Sequence, residues 1–297
     1  MDTLIALVTG GSSGIGRESV LALQARGMTV YAAARRQMPD LEAQGVRTLA
    51  MDVTDEASLQ AGVARVLDEA GRIDILVNNA GYGSYGAIED MPMAEARRQF
   101  DVNVFGTLRL TQLVLPTMIA QGRGRIINIS SMGGRFSMAL GGWYHATKYA
   151  IEALSDALRQ EVRPFGVDVV LVEPGLIHTD WPKIAADNLV AISGMGRYAV
   201  IAKSFAAGLS LAGPGLASDP SIIGRTVARA ATCARPRTRY RKGLGAIPLT
   251  VLIDLLPDRV YDASVRLLLT HLGDLINLIG GQPASSSVTA NGSRGGH

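Results

Sequence analysis

The 297-residue chain reads as an α/β protein: one doubly wound parallel sheet in three layers, with a helical C-terminal extension. Two patterns predict this. Short apolar, β-rich runs alternate with longer stretches of helical period, as in parallel strands joined by helical crossovers. The runs are also apolar nearly throughout, as expected of strands covered on both faces. The first strand is LIALV at 4–8, followed by a glycine-rich turn and a helix opening near Ile15. MTVYAAA at 28–34, RTLAM at 47–51 and IDILV at 73–77 continue the series. Between the last two, Leu59, Val63, Val66, Leu67 and Ala70 form one helical stripe, with Thr54 placed to cap its start. RIINIS at 125–130 and VDVVLV at 167–172 supply two more strands around a long helix over about 144–163. Right-handed crossovers then leave the strand carboxyl ends as the place for ligands. Beyond Pro174 the period loosens: 176–216 is glycine-punctuated, and 219–234 reads as a helix. A single domain over 1–280 is expected, with the small, polar 281–297 a disordered tail.

Composition narrows the function. Hydrophobic residues make up 47% and charged residues 19%, which is globular, and a net charge of +3 does not point to nucleic acid. Cys233 is the only cysteine, so neither an internal disulfide nor a cysteine-rich metal site can form, and a reducing, cytoplasmic setting is expected. His145 and His178 lack ligand spacing, and no metal is expected. No apolar stretch reaches the roughly 20 residues needed to span a bilayer, although 244–256 and 267–279 are apolar enough to keep peripheral membrane contact open. Arg235, Arg237, Arg239 and Arg241 alternate beside Lys242 and read as a solvated face, or as a contact with anionic lipid or a subunit.

Two motifs carry chemistry. In TGGSSGIG after the first strand, Gly10, Gly14 and Gly16 let the backbone turn and approach a pyrophosphate held by amides at the helix start. Ser12 and Ser13 add hydroxyls, and Ile15 opens the helix. The second strand ends in Arg35 and Arg36 with no carboxylate for a ribose 2′-hydroxyl, which suits a 2′-phosphate. NADP(H) is therefore expected over NAD(H), which stays possible if Arg35 is only a solvated strand end. The second motif is Tyr144-x-x-x-Lys148, whose i, i+4 spacing puts phenol and ammonium on one helix face. A free phenol has a pKa of about 10, and a neighbouring cation lowers it towards use as an acid/base.

TG-x3-GIG, NNAG at 78–81, Asn103, Ser131, YxxxK and Pro174-Gly175 occur in succession, and together they resemble the short-chain dehydrogenase/reductase family over roughly residues 3–180. The resemblance implies a Rossmann-type NAD(P)-dependent oxidoreductase that interconverts an alcohol and its carbonyl. It implies Ser131 orienting the substrate oxygen, Tyr144 as acid/base, Lys148 on the nicotinamide ribose, and Asn103 bending a helix and holding water beside Lys148. It also places Asp52 and Val53 at adenine, Asn79, Ala80 and Gly81 along the cofactor, and Pro174, Gly175, Ile177 and Thr179 around the nicotinamide. The lesser alternative on local signals is that Asp52 serves a turn with Thr54, while Asn78 reads as tying strands together and Ser130 as structural. The family further implies homodimers or homotetramers through 101–121 and 143–163, and a substrate lid at 176–216. There Trp181, Ile184, Leu189, Met195, Phe205 and Leu209 favour a lipophilic ligand or merely pack the core. VYAAARR, this lid and PRTRY resemble bacterial members of the hydroxysteroid and retinol dehydrogenase-like branch, making a steroid, retinoid or long-chain alcohol the expected substrate class. The alternatives are a 3-oxoacyl-type or small-ketone reductase and a non-catalytic NADP(H)-binding regulator.

Overall fold

The computed structural model describes residues 3–210 and 217–279. The expected tail at 281–297 and the last six residues of the expected lid, 211–216, lie outside them. The described residues form a seven-stranded sheet in the order β3-β2-β1-β4-β5-β6-β7. The strands are β1 (Ile5–Thr9), β2 (Thr29–Ala34), β3 (Arg47–Ala50), β4 (Ile75–Asn78), β5 (Gly124–Ile129), β6 (Val167–Pro174) and β7 (Arg239–Lys242). All pairings are parallel, with Val8 opposite both Ala32 and Val77.

Burial on both faces explains the continuous apolar runs. Successive side chains of a strand point to opposite faces, so β1 splits between two cores. Ala6 and Val8 pack with Val20 and Leu23 of α1 (Gly14–Gln24) and Ile223 and Val227 of α9 (Ser221–Thr232). Ile5 and Leu7 pack with Leu59, Val63 and Val66 of α3 (Glu56–Ala70) and Leu110, Val114 and Met118 of α5 (Thr107–Ala120). The expected stripe on α3 therefore faces the sheet. Its cap is Asp55, whose carboxylate accepts from Ser58 N–H at 2.7 Å, and not Thr54. Thr54 is instead held by Asp52, through its N–H at 2.9 Å and its hydroxyl at 2.7 Å.

Three further features position the site. Between α4 (Met93–Phe100) and α5, residues Asp101–Gly106 form a π-helical turn, which re-aims the helix where Asn103 stands. The long helix α6 (Gly142–Val162) carries the Tyr-Lys motif. Over the strand ends lie α7 (Trp181–Ser193) and α8 (Ala199–Ser210), the latter against α11 (Asp258–Ile279), which follows α10 (Ala246–Leu255).

The alternating arginines do not form one solvated face. Arg235 and Arg237, before β7, are exposed. Arg239 and Arg241 face Glu173, whose fully buried carboxylate pairs with them at 3.1 and 2.7 Å. A buried charge of that kind demands cationic partners. No helix among the described residues is long and apolar enough to cross a membrane.

Because Leu7 is fully buried at the centre of one core, Leu7→Ala is expected to lower unfolding stability by about 3 kcal/mol, read as a lower denaturant midpoint at unchanged slope.

Candidate active site

At the carboxyl ends of β1, β2 and β4–β6 lies a cleft of about 1670 Å3. It is bordered by every cofactor residue expected from the sequence: Gly10, Ser12, Ser13, Gly14, Ile15, Gly16, Arg35, Asp52, Val53, Asn79, Ala80, Gly81, Tyr144, Lys148, Pro174, Gly175, Ile177 and Thr179. The glycine turn needs bare backbone. Gly10 and Gly14 have φ of +65° and +51°, and a Cβ on Gly16 would collide with the Gly10 carbonyl oxygen. The first amides of α1 have no intrahelical acceptor, and Ser13 at the N-cap position does not bond to them. Backbone amides at a crowded glycine turn fit a dinucleotide pyrophosphate.

Asn79 fastens this turn. Its Nδ2 donates to the Thr9 and Gly10 carbonyls at 3.0 and 3.3 Å, while the Thr9 hydroxyl accepts from Asn79 and Ala80 N–H. Asn78 does tie strands together, donating to Asn128 of β5 and Thr111 of α5. Asp52 faces the cleft while making the Thr54 turn, and the Thr54 N–H holds its carboxyl below the ordinary range. Of the two strand-end arginines it is Arg36, and not the Arg35 singled out from the sequence, that meets the serines: its guanidinium donates to Ser12 Oγ and Ser13 Oγ, both at 2.8 Å. The doubled arginine was the available signal, but spacing does not say which of the pair turns toward the serines.

On the reacting side, Ser131 ends β5 and accepts from Gly133 N–H at 3.0 Å. Its side chain also hydrogen-bonds the Tyr144 phenol. Tyr144 is 6% exposed, and burial pushes its pKa up to about 12 against the pull of Ser131. Lys148 donates to the Ile129 carbonyl at 3.0 Å, with Nζ 5.9 Å from the Tyr144 ring centroid. Burial lowers its pKa to about 8, while Glu152 pulls it upward. The sequence reading of a phenol acidified by its lysine is therefore corrected for this state. Desolvation disfavours the charged form of both groups, and one N–H of Lys148 is taken by the Ile129 carbonyl.

Asn103 stands behind the cleft wall. Its Oδ1 accepts from Tyr82 N–H at 3.0 Å, and its Nδ2 donates to the Tyr82 carbonyl at 2.9 Å and Thr147 Oγ1 at 3.1 Å. The loop after β4 is thereby clamped to α6. Ser130 is buried with its Oγ against Gly134, and its hydroxyl acts on Glu152. His145 is buried with Nδ1 2.8 Å from the Gly133 carbonyl oxygen, and His178 is exposed.

Beyond Tyr144 the walls become aromatic. Tyr85 and Trp181 lie 5.5 and 5.2 Å from the Tyr144 ring, and Phe205 lies 5.7 Å from Tyr85. Trp181, Ile184, Phe205 and Leu209 border the cleft, whereas Leu189 is buried between α7 and α8 and Met195 is 86% exposed. Tyr85 had no sequence signal beyond its place in a glycine-rich loop.

The profile of the short chain dehydrogenase family matches residues 4–188. The chain is 36% identical over 266 residues to "Probable short-chain type dehydrogenase/reductase VdlC" of Helicobacter pylori, covering 89% of this chain and 97% of that one. A 3-ketodihydrosphingosine reductase of Bacteroides thetaiotaomicron is 41% identical over 179 residues, 60% of this chain and 66% of its own. The crystal structure of a short-chain dehydrogenase from Streptomyces avermitilis superposes with a TM-score of 0.75 at 33% identity, covering 95% of this chain and 100% of its own. With the glycine turn, the Ser-Tyr-Lys cluster and these likenesses together, the chain belongs to the short-chain dehydrogenase/reductase family and is an oxidoreductase.

Proposed function

We propose that the protein reduces the carbonyl of a lipophilic substrate to an alcohol, with NADP(H) as the preferred cofactor. The observation that carries this is the meeting of Ser131, Tyr144 and Lys148 at the boundary between the glycine-turn half of the cleft and its aromatic half. The cofactor, when bound, supplies the hydride.

The chain's own groups do the rest. Gly10–Gly16 and the α1 amides receive the pyrophosphate, and Arg36, aligned by Ser12 and Ser13 with Arg35 beside it, receives a 2′-phosphate. The Ser131 hydroxyl, whose oxygen already accepts from Gly133, donates to the substrate oxygen as negative charge grows there. A phenol with its pKa raised to about 12 keeps its proton at neutral pH, which suits Tyr144 as the donor to that oxygen in the reducing direction. Lys148 must be ammonium to stabilise the phenolate left behind.

Tyr85, Trp181, Phe205 and Leu209 favour an apolar substrate body. The relative named a 3-ketodihydrosphingosine reductase acts, by that name, on a ketone, which agrees with this reading.

NADPH oxidation is expected with long-chain or polycyclic ketones and aldehydes and not with small polar sugars. Tyr144→Phe should lower turnover at least about 100-fold, and full turnover in that variant would refute the assignment. Arg36→Ala should raise the KM for NADPH about tenfold through loss of a charge-assisted contact, with little change for NADH; equal effects on both would remove the preference. In the reducing direction, kcat/KM should fall as pH rises through about 8, where Lys148 loses its proton.

A further inference from the structure

Behind the Tyr-Lys motif, one turn further along the same face of α6, stands Glu152, which is 5% exposed while Lys148 is 8% exposed. Its Oε2 accepts from Arg239 Nε at 3.0 Å. That guanidinium is shared, since Asp156 takes it at 2.6 Å and Glu173 at 3.1 Å. The other two acids have second partners: Asp156 has Arg159 at 3.0 Å, and Glu173 has Arg241 at 2.7 Å. Among the described residues Glu152 has its share of Arg239 as its one cationic partner, with the Ser130 hydroxyl beside it, and its Oε1 is buried without a close hydrogen bond, as is Glu173 Oε1. Four residues back on the helix is Lys148, whose hydrogen bond goes to the neutral Ile129 carbonyl. Each of these two charges lacks full compensation, and helical spacing sets them side by side.

We propose that Glu152, anchored by Arg239, is a positioning residue for the reaction, keeping Lys148 cationic and in place at the cleft floor. The inference rests on the reading of Tyr144 and Lys148 given above. The charged and titratable groups around the pair are Tyr144, His145 and Asp156 on α6, Glu173 on β6, and Arg239 and Arg241 on β7. On the remaining sides, β5 and its end bring Ser130 and Ser131, and the π-helical turn brings Asn103, with Asp101 exposed at the cleft rim. Glu95 of α4 is engaged with Tyr82, over whose ring Arg98 lies. Among these, Glu152 is the charge that acts on the lysine, opposing the effect of burial. Burial, with Glu173 adding to it, holds the carboxyl's own pKa above the ordinary range against the pull of Ser130 and Arg239.

The test reads protonation without turnover. Trace acetic anhydride competes for Lys148 in cofactor-free protein between about pH 6 and 10, and peptide mass spectrometry gives the midpoint of its reactivity. Glu152→Gln is expected to lower that midpoint by about one pH unit, whereas Glu152→Asp, which keeps the charge, stays near the wild type. The double variant Glu152→Met, Arg239→Met, which exchanges the pair for apolar side chains that buried sites often tolerate, should show the same fall and keeps the test available if the glutamine variant does not fold. An unmoved midpoint in folded variants lacking the carboxylate overturns the inference. In turnover, the alkaline limb should move down with the midpoint, and a loss by one factor at every pH would mean a structural role only. Tyr144→Phe tests the underlying function separately, so the two readings fail independently.

Discussion

A parallel sheet covered by helices on both faces leaves only the strand ends free to meet a ligand, and the site is built from those ends. β1 runs out into the Gly10 turn, β4 into Asn79 and Ala80, β5 into Ser131, and β6 into Gly175. Among the hydrogen bonds that hold this edge to its surroundings are Asn79 Nδ2 on the Thr9 carbonyl, joining β4 to β1, and Lys148 Nζ on the Ile129 carbonyl, joining α6 to β5. Both join groups of different elements at the carboxyl edge. The geometry of the cleft is thus a consequence of where strands that must be buried are obliged to stop.

The same burial governs the electrostatics. Tyr144 and Lys148 sit in dry surroundings where each favours its neutral form, so the phenol moves up and the ammonium moves down. The two proton affinities thus move apart, the phenol to about 12 and the ammonium to about 8. Behind them, Glu152, Glu173, Arg239 and Arg241 place a charged layer between α6 and the sheet edge, where apolar packing would ordinarily suffice. Retaining charges at such a place is costly unless they are mutually satisfied, and the guanidinium of Arg239 is shared between Glu152, Asp156 and Glu173.

Six strands, the helices after β1 and β3, the one over 144–163 and the one over 219–234 were legible in the sequence because periodicity and apolar runs are local, whereas α7, α8 and α11 were not placed. The seventh strand was not, because RYRK has no apolar pattern and exists by pairing with β6 and answering the charge of Glu173. Thr54 and Asp55 are equally good caps on paper, and the choice fell to Asp55 because Asp52 holds the threonine. Leu189 and Met195 look alike in an apolar stretch, yet one is buried between α7 and α8 and the other faces solvent. Tyr85 enters the aromatic wall only because the loop after β4 passes under α7 and α8.

By itself the sequence determined the succession of layers, the glycine turn and the identities of the groups gathered at the cleft, since each is written in a contiguous motif or a short period. Tertiary structure decided which arginine reaches Ser12 and Ser13, which way the Tyr144 and Lys148 proton affinities move, and why Arg239 and Arg241 turn inward. Those outcomes depend on desolvation and on partners that lie tens of residues away along the chain, and neither exists until the sheet has closed between its helices.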